Sequence, residues 1–336
     1  MITVYYRTDD GIACRELETG EAFPARMLWV DLLHPDETER ALVAALLGLN
    51  LPTRSQMAEI EVSSRLRADG HAAYLTTDVL VGSETPDPEI GDLTVVVAPG
   101  CLLTLRYSEP RALAMFAYRI QNQAQLFATQ EDGLLAMLDA IVDRTADVLE
   151  AIGRRVDDLS LQIFRRGPEE QTIDRRSAKP GRKRKEKQLQ EILQGIGRAG
   201  DMNHKVRDSV NGMIRLVTFL GPILTHRLNN EQMKKFKALD RDLRSLSEHA
   251  QSSAHETSFL LDATLGQINI EQNAIIKIFS VVSVVFMPPT LFASIWGMNF
   301  HAIPELSWSW GYYMALGVMV ASAVLPLAYF RRRGWL

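Results

Sequence analysis

The chain has 336 residues, enough for a globular domain together with a membrane-embedded part. Charged residues make up 23% of the sequence and leave a formal net charge of -4, which argues against a nucleic-acid partner. The two cysteines, Cys14 and Cys101, have no histidine beside them and do not indicate a zinc site.

Residues 1–125 mix strand and helix patterns and are predicted to form an α/β domain. Residues 35–49 favour a helix with Pro35 in its first turn, and Thr53 with Gln56 forms a capping box that opens a short helix. Residues 82–92 contain two prolines and four acids and are typical of a turn-rich loop. Strands rich in Val, Leu, Tyr and Thr are predicted at residues 2–7, 28–31, 72–80, 93–98 and 102–107.

Residues 126–228 are predicted to form a long helical hairpin. Its basic loop, residues 165–187, is dense in Arg and Lys and is either a solvated turn or a patch for anionic lipid headgroups. The first helix, residues 131–164, carries an apolar side made of Leu134, Leu135, Leu138, Ile141, Val142, Ala146, Leu149, Ile152 and Val156.

The second helix of the hairpin contains a formal G-x-G-x-x-G pattern from Gly195 to Gly200. Dinucleotide binding needs this pattern between a strand and a helix, and the preceding KEKQLQEILQ is helical, so we interpret the match as accidental. We find no P-loop, HExxH or GxSxG motif and no Ser/His/Asp set. The sequence therefore gives no case for an enzyme or for an organic cofactor.

Residues 229–274 are predicted to form a helical stalk that continues into the next segment. No glycine or proline interrupts it before Gly266, and a helix of about 65 residues would be about 100 Å long. Apolar and small residues are spaced for a bundle seam at Leu239, Leu243, Leu246, Ala250, Ser253, Thr257, Leu260, Thr264 and Ile268.

Two apolar runs near the C-terminus are each long enough to cross a bilayer core of about 30 Å as a helix. The first spans residues 275–297 and the second residues 312–330, joined by a loop over residues 298–311 and followed by a tail over residues 331–336. The alternative is a pair of buried core helices. Two such runs so close together, with these flanks, favour membrane helices.

The charges at the ends of the runs predict their orientation. Lys277 lies near the start of the first run and Arg331 to Arg333 follow the second, whereas the loop between them has no Lys or Arg. Positive residues stay on the cytoplasmic side of a membrane. We therefore expect the two spans to lie in the inner (plasma) membrane, with both termini in the cytoplasm. The cysteines would then lie in the cytoplasm, where a disulfide is disfavoured.

One side of the first run carries small or polar groups at steps of three or four residues. Such a stripe indicates either helix–helix packing or the wall of a water-filled pore, and a pore would require an oligomer because two spans cannot enclose one. The stripe consists of Asn273, Ile276, Ser280, Ser283, Met287, Thr290 and Ser294.

Several short motifs resemble the CorA magnesium-channel family, closest to its enterobacterial type. The similarity runs from Ile268-Asn269-Ile270-Glu271-Gln272-Asn273 through Pro288-Pro289-Thr290, Gly297-Met298-Asn299 and Pro304-Glu305-Leu306 to Gly334-Trp335-Leu336. It is weaker upstream, at Trp29-Val30-Asp31-Leu32 and Glu59-Ile60-Glu61. The resemblance implies a funnel-shaped homopentamer in which an N-terminal cytoplasmic α/β domain, with helices on both faces of its sheet, leads through the stalk to the pore.

In that family the Gly-Met-Asn triplet forms the selectivity filter, so Gly297, Met298 and Asn299 are its expected members here. A ring of Asn299 amide oxygens would accept hydrogen bonds from the water shell that magnesium holds tightly. Glu305 resembles a loop acid that attracts cations, or is simply a solvated carboxylate. Asn273 and Thr290 match polar pore positions, and Ile276, Met287 and Phe279 an apolar constriction.

The resemblance implies influx of magnesium, and also of cobalt and nickel, with closure when cytoplasmic magnesium binds acids between protomers. Asp262 matches one regulatory position, and Asp240 and Asp242 lie near another, where Ala238 falls. For Asp240 and Asp242 the alternative is a solvated helix face. Two rival functions remain: a zinc-transporting relative, against which Met298 argues, and a membrane-anchored coiled-coil sensor without a pore.

Overall fold

The computed structural model describes residues 1–18, 21–59, 61–70, 72–82, 85, 88–164, 182–298 and 308–335. The chain divides into two compact units, Met1–Leu261 and Asp262–Leu336. Its elements in chain order are β1 (Ile2–Thr8), β2 (Gly11–Leu17), β3 (Met27–Leu33), α1 (Glu37–Leu47), α2 (Arg54–Met57), α3 (Val62–Arg65), β4 (Leu66–Ala68), β5 (Ala73–Val81), β6 (Glu89–Ala98), β7 (Cys101–Arg106), α4 (Arg111–Asn122), a 3-10 turn (Ala124–Phe127), α5 (Gln130–Phe164), α6 (Arg182–Leu224), α7 (Asn230–Trp296) and α8 (Gly311–Arg332).

The first unit contains a mixed sheet in the order β2-β1-β3-β7-β6-β5-β4. Within it β3 and β7 pair in parallel, and the other neighbouring strands pair antiparallel. The central strand β7, with the sequence CLLTLR, is buried along almost its whole length. Such a continuous apolar strand is what a sheet covered on both faces requires.

Helices cover both faces of this sheet, as the resemblance implies. On one face Val30, Leu32 and Leu103 share a core with Val43 of α1 and Met57 of α2. The opposite face is covered by the longer helices: α4 packs on β2, α5 on β7, and α6 on β5 and β6. The predicted α/β domain is confirmed.

A buried polar network holds the centre of the sheet together. The indole N–H of Trp29 donates to the Thr104 hydroxyl at 2.9 Å, and that hydroxyl donates to Asp31 at 2.6 Å. Arg106 forms a salt bridge of 2.7 Å with the same carboxylate. Tyr5 stacks on Trp29 with ring centroids 4.3 Å apart, and its burial and the nearby Asp31 raise the pKa of Tyr5 to about 12. The network explains why Trp29 and Asp31 occupy a central strand.

The structure corrects several predicted elements of this unit. The predicted five strands are present, but β2, β4 and α4 were not predicted. The first helix begins at Glu37 rather than Pro35, because Asp36 and Glu39 form the capping box that starts it. The residues from Glu89 onward, predicted as loop, extend β6. The capping box of Thr53 and Gln56 is confirmed.

The long helices α5 and α6 pack against each other, with the predicted apolar side of α5 largely buried. The G-x-G-x-x-G pattern lies inside α6, as expected for an accidental match. Gly195 has a packing role instead: a Cβ there would lie 2.9 Å from Cδ2 of Leu159, so the two helices approach closely at this point. Asn203 of α6 donates to the carbonyl of Ala250 in α7 at 2.8 Å, which joins the third helix.

The stalk and the first apolar run form one helix, since α7 runs without interruption from Asn230 to Trp296. Both α7 and α8 contain a stretch apolar enough to cross a membrane, and hardly any residue of these stretches is buried. The second unit thus exposes large apolar side chains along both helices. A soluble core helix would bury such residues, so this exposure favours membrane helices over the core-helix alternative.

Candidate functional site

The polar stripe of the first span lies on the exposed surface of α7. Asn273, Ser280, Ser283, Thr290 and Ser294 are exposed in the single chain. The apolar members are equally open, since Ile276 is 60% and Met287 68% exposed, and the neighbouring Phe279 is 67% exposed. Val281 lies on a different face of the helix and is buried. The stripe is therefore available for contact with water or with other copies of the chain.

The proline pair interrupts the hydrogen-bond ladder of α7 while the helix continues. Pro288 and Pro289 have no N–H, so the carbonyls of Val284 and Val285 lose their usual helical donors. At the next residue along the helix, the hydroxyl of Thr290 donates to the carbonyl of Phe286 at 2.7 Å. The Thr290 oxygen keeps its acceptor capacity, because a hydroxyl donates one hydrogen bond and accepts others.

The first two residues of the triplet lie just beyond the end of α7. The N–H of Gly297 donates to Ala293 at 3.0 Å, and that of Met298 donates to Ile295 at 3.3 Å. A Cβ on residue 297 would lie 3.0 Å from the Ala293 carbonyl oxygen, a tight approach that glycine avoids. Asn299 and Glu305 lie outside the described residues.

Of the three candidate regulatory acids, Asp240 and Asp242 belong to the first unit and Asp262 begins the second. Asp240 binds Arg244 through both carboxylate oxygens, at 3.0 and 3.2 Å. Asp242 and Asp262 are exposed. Across the described ranges, no group of three His, Cys, Asp or Glu residues is placed to hold a metal ion.

Asp139, an acid not identified from the sequence, lies near both Asp143 and Asp242. Asp139 of α5 keeps an exposed edge, while packing around the rest of the side chain and then the neighbouring Asp143 and Asp242 raise its pKa. Arg119 of α4 offsets part of this negative charge, binding Asp143 at 3.1 Å. These acids come from α5 and α7, and sequence spacing alone gave no sign that their charges would influence one another.

The two cysteines play no part in this arrangement. Both are free thiols; Cys14 is exposed and accepts a hydrogen bond of 3.0 Å from Gln121, whereas Cys101 is buried. Burial raises the pKa of the Cys101 thiol, which keeps it protonated and unreactive.

Comparison with known proteins identifies the family to which this chain belongs. Residues 24–332 match the family described as CorA-like Mg2+ transporter protein. Proteins named magnesium transport protein CorA are 34% identical, over all of both chains in Yersinia pseudotuberculosis, and over 95% of this chain and 96% of the relative in Escherichia coli K12. The complete structure of the CorA magnesium transporter from Methanocaldococcus jannaschii aligns with a TM-score of 0.72 at 18% identity, covering 100% of this chain and 99% of that one. The chain therefore belongs to the CorA-like Mg2+ transporter family.

Proposed function

We propose that this chain forms a homopentameric channel that admits magnesium, and also cobalt and nickel, through the inner (plasma) membrane. The observation that carries the proposal is the exposed stripe of α7. It places hydroxyl groups, one amide and the apolar side chains of Ile276 and Met287 along one face of the span. Five copies of such a face would enclose a pore. The relatives named as magnesium transport proteins support magnesium as the ion.

The chain would lie in the membrane with both termini in the cytoplasm, and lipid would cover the apolar faces of α7 and α8. Lys277 and Arg331 to Arg333 mark the cytoplasmic end. An inside-negative potential then drives entry, because a divalent ion gains about 4.6 kcal/mol per 100 mV. Ion flow needs no chemical step, so the protein would act as a transporter and not as an enzyme.

At the outer end, Asn299 would accept hydrogen bonds from the water shell of the entering ion. Magnesium dehydrates reluctantly and prefers octahedral oxygen, so amide oxygens facing its water suit it better than a cage of carboxylates. Gly297 permits the tight turn that follows α7. Met298 would hold this loop, and Glu305 would raise the local cation concentration.

Further inward, Thr290 and Asn273 would form polar rings around the hydrated ion. Ile276, Phe279 and Met287 would form the apolar constriction, which closes by losing its water. Cytoplasmic magnesium would stabilise the closed state by bridging Asp262, and Asp240 or Asp242, to acids of a neighbouring copy. A site shared between copies agrees with the finding that the described residues of one chain assemble none.

The test is ion uptake by purified protein in liposomes loaded with a magnesium-sensitive dye. Asn299→Ala should abolish magnesium uptake while the protein still assembles, because its amide is the expected filter ligand. Asn122→Ala is the matched control, since Asn122 is an exposed amide at the end of α4 and should leave uptake unchanged. Wild-type uptake that survives Asn299→Ala would contradict the proposed filter.

The same vesicles separate the two rivals. A zinc transporter would carry zinc and leave the magnesium dye unchanged, and a coiled-coil sensor would carry neither ion. Chemical crosslinking of the protein in the vesicles should give a ladder that ends at five subunits. A ladder that ends at two would contradict a pore lined by α7.

A further inference from the structure

The C-terminal tail of the second unit is folded back onto the end of α8. The N–H groups of Arg333, Gly334 and Trp335 donate to carbonyls of the last helical turn at 3.1–3.2 Å. Gly334 has a φ of +70°, a left-handed conformation in which glycine has no steric cost. The turn brings the Trp335 ring onto Phe330, stacked with centroids 5.4 Å apart. The tail therefore has a defined conformation beside the last turn.

Two cations of this unit lie over aromatic rings of the tail region. The ammonium of Lys277 is 6.0 Å from the centre of the Trp335 ring, and the guanidinium of Arg333 is 5.6 Å from that of Tyr329. Cation–π pairs of this kind strengthen as water is removed. The one charge of the first span thus lies beside the tail of the second. We refer to Lys277 and Arg331 to Arg333 together as the cationic surface, to which both spans contribute.

The positive charge of this surface is not neutralised within the described chain. Arg331 and Arg332 are exposed, and in the described part of the chain neither they nor Arg333 forms a salt bridge. Asp262 and Glu271 are the described acids of this unit, and both precede the first span. A ligand for this surface must therefore carry negative charge.

The opposite end of the spans provides an internal comparison. Trp310, Tyr312 and Tyr313 form an aromatic cluster there, with the Trp310 and Tyr313 rings 5.9 Å apart, and Trp308 lies two residues before it in the sequence. No Lys or Arg occurs between residues 297 and 330. Aromatic rings thus mark both ends, as they mark membrane interfaces, but cations accompany them at one end.

We propose that Lys277, Arg331, Arg332 and Trp335 bind the headgroup of an anionic phospholipid at the cytoplasmic interface, where one lipid contacts both spans. The proposal rests on the membrane placement given under the proposed function. Guanidinium groups suit this ligand because they bind phosphate oxygens in a bidentate geometry. A lipid is favoured over free phosphate because the cations adjoin exposed apolar side chains, including Leu327 and Tyr329.

The test measures which lipid lies beside Trp335 in vesicles that contain the full-length protein. Bromine on a lipid chain quenches nearby tryptophan, so brominated phosphatidylglycerol in plain phosphatidylcholine is compared with brominated phosphatidylcholine in plain phosphatidylglycerol. The Trp335 signal is the wild-type fluorescence minus that of Trp335→Phe. We expect stronger quenching by the brominated anionic lipid. Each of Arg331→Gln and Arg332→Gln should lower the preference about fivefold.

Two controls make the result specific. Arg331→Lys with Arg332→Lys keeps the charge and should retain most of the preference. The signal lost in Trp308→Phe/Trp310→Phe reports the opposite end, where we expect no preference for the anionic lipid. Equal quenching by both lipids at Trp335, or a preference that survives both glutamine substitutions, would overturn the proposal.

Protection of Trp335 from both brominated lipids would also overturn it and would assign the cationic surface to a neighbouring copy of the chain. Magnesium uptake is recorded in the same vesicles. Intact uptake without a lipid preference would leave the proposed function standing while this inference fails. Absence of uptake together with a clear lipid preference would support the lipid site and contradict the proposed function.

Discussion

The side-chain amide of Gln232 donates a hydrogen bond of 3.0 Å to the hydroxyl of Thr129, which links the start of α7 to the start of α5. Gln232 also caps its own helix, because its amide oxygen accepts from the N–H of Asn229 at 3.0 Å. The same side chain donates to Asp132 at 3.0 Å, and it is almost fully buried. One residue thus attaches the N-terminal end of α7 to the N-terminal end of α5.

Replacing Gln232 with alanine should destabilise this junction. The change removes one helix cap and two hydrogen bonds to the partly exposed Thr129 and Asp132, so we expect a loss of about 2 kcal/mol of unfolding free energy. Thermal unfolding of the full-length protein in detergent measures the effect. Gln251→Ala, an exposed glutamine of the same helix, is the control and should melt like the wild type. A melting temperature of Gln232→Ala equal to that of the wild type would show that these hydrogen bonds do not contribute to stability.

The effect of Gln232→Ala should depend on pH. Burial alone would raise the pKa of Asp132, but hydrogen bonds from Gln232 and Thr129 outweigh it and lower that pKa below its ordinary value of 3.8. A carboxylate with a lowered pKa stabilises the fold above 3.8, and this stabilisation disappears as the pH falls through the lowered value. The difference in unfolding free energy between Gln232→Ala and the wild type should therefore be largest near pH 6 and should decrease below pH 3.8. A constant difference from pH 6 to pH 3 would contradict this linkage.

Arg65 neutralises two carboxylates that face each other across β5 and β6. Asp78 and Asp92 are register partners, and Arg65 lies 2.7 Å from the first and 3.3 Å from the second. Arg65→Gln would leave two neighbouring negative charges uncompensated, which should cost about 2–3 kcal/mol at pH 7, less than for a fully buried pair. Arg65→Lys should recover part of the loss. Thermal unfolding checks this, and a glutamine variant as stable as the lysine variant would contradict it.

Asp139 should reduce stability at neutral pH. Because packing around part of its otherwise exposed side chain, and then the nearby Asp143 and Asp242, raise the pKa of Asp139, the folded protein holds this proton to a higher pH than the unfolded chain does. Its contribution is most favourable below 3.8 and declines as the pH rises through the raised value. Asp139→Asn should therefore melt above the wild type at pH 7, with the advantage shrinking toward pH 3.8. Asp157→Asn, at another exposed position of the same helix, is the control and should melt like the wild type at pH 7.

The long helix and both spans were predicted because extended apolar runs without breaking residues allow few other structures. The missed elements carried weaker signals. In β2 the exposed Arg15 and Glu16 interrupt the apolar alternation of an edge strand, and β4 has three residues. For α4 a signal was available, since Leu113, Phe116 and Ile120 follow a helical period after Pro110.

For the candidate site, the sequence predicted which residues share one face of α7, because that depends on helical periodicity alone. It could not predict that Asp242 lies close enough to Asp139 to raise its pKa, because that depends on how separate helices pack. The role of Gly195 was equally hidden, since a glycine at a close helix contact has the same local sequence as any other helical glycine. What the stripe contacts depends on other copies of the chain, and it stays a prediction.

The last prediction concerns the apolar constriction proposed within the pore. Met287 is 68% exposed in the single chain, so its replacement should not disturb the packing of α7 itself. Met287→Asn would place five amides in the constriction and hydrate it, and lowering the barrier by about 1.4 kcal/mol would raise ion flow about tenfold. We therefore expect magnesium uptake that persists when the internal magnesium is high. The assay is dye-reported uptake in vesicles preloaded with magnesium, with Met287→Leu as the apolar control that should stay closed. Asparagine and leucine variants that leak equally would show that Met287 does not line the constriction.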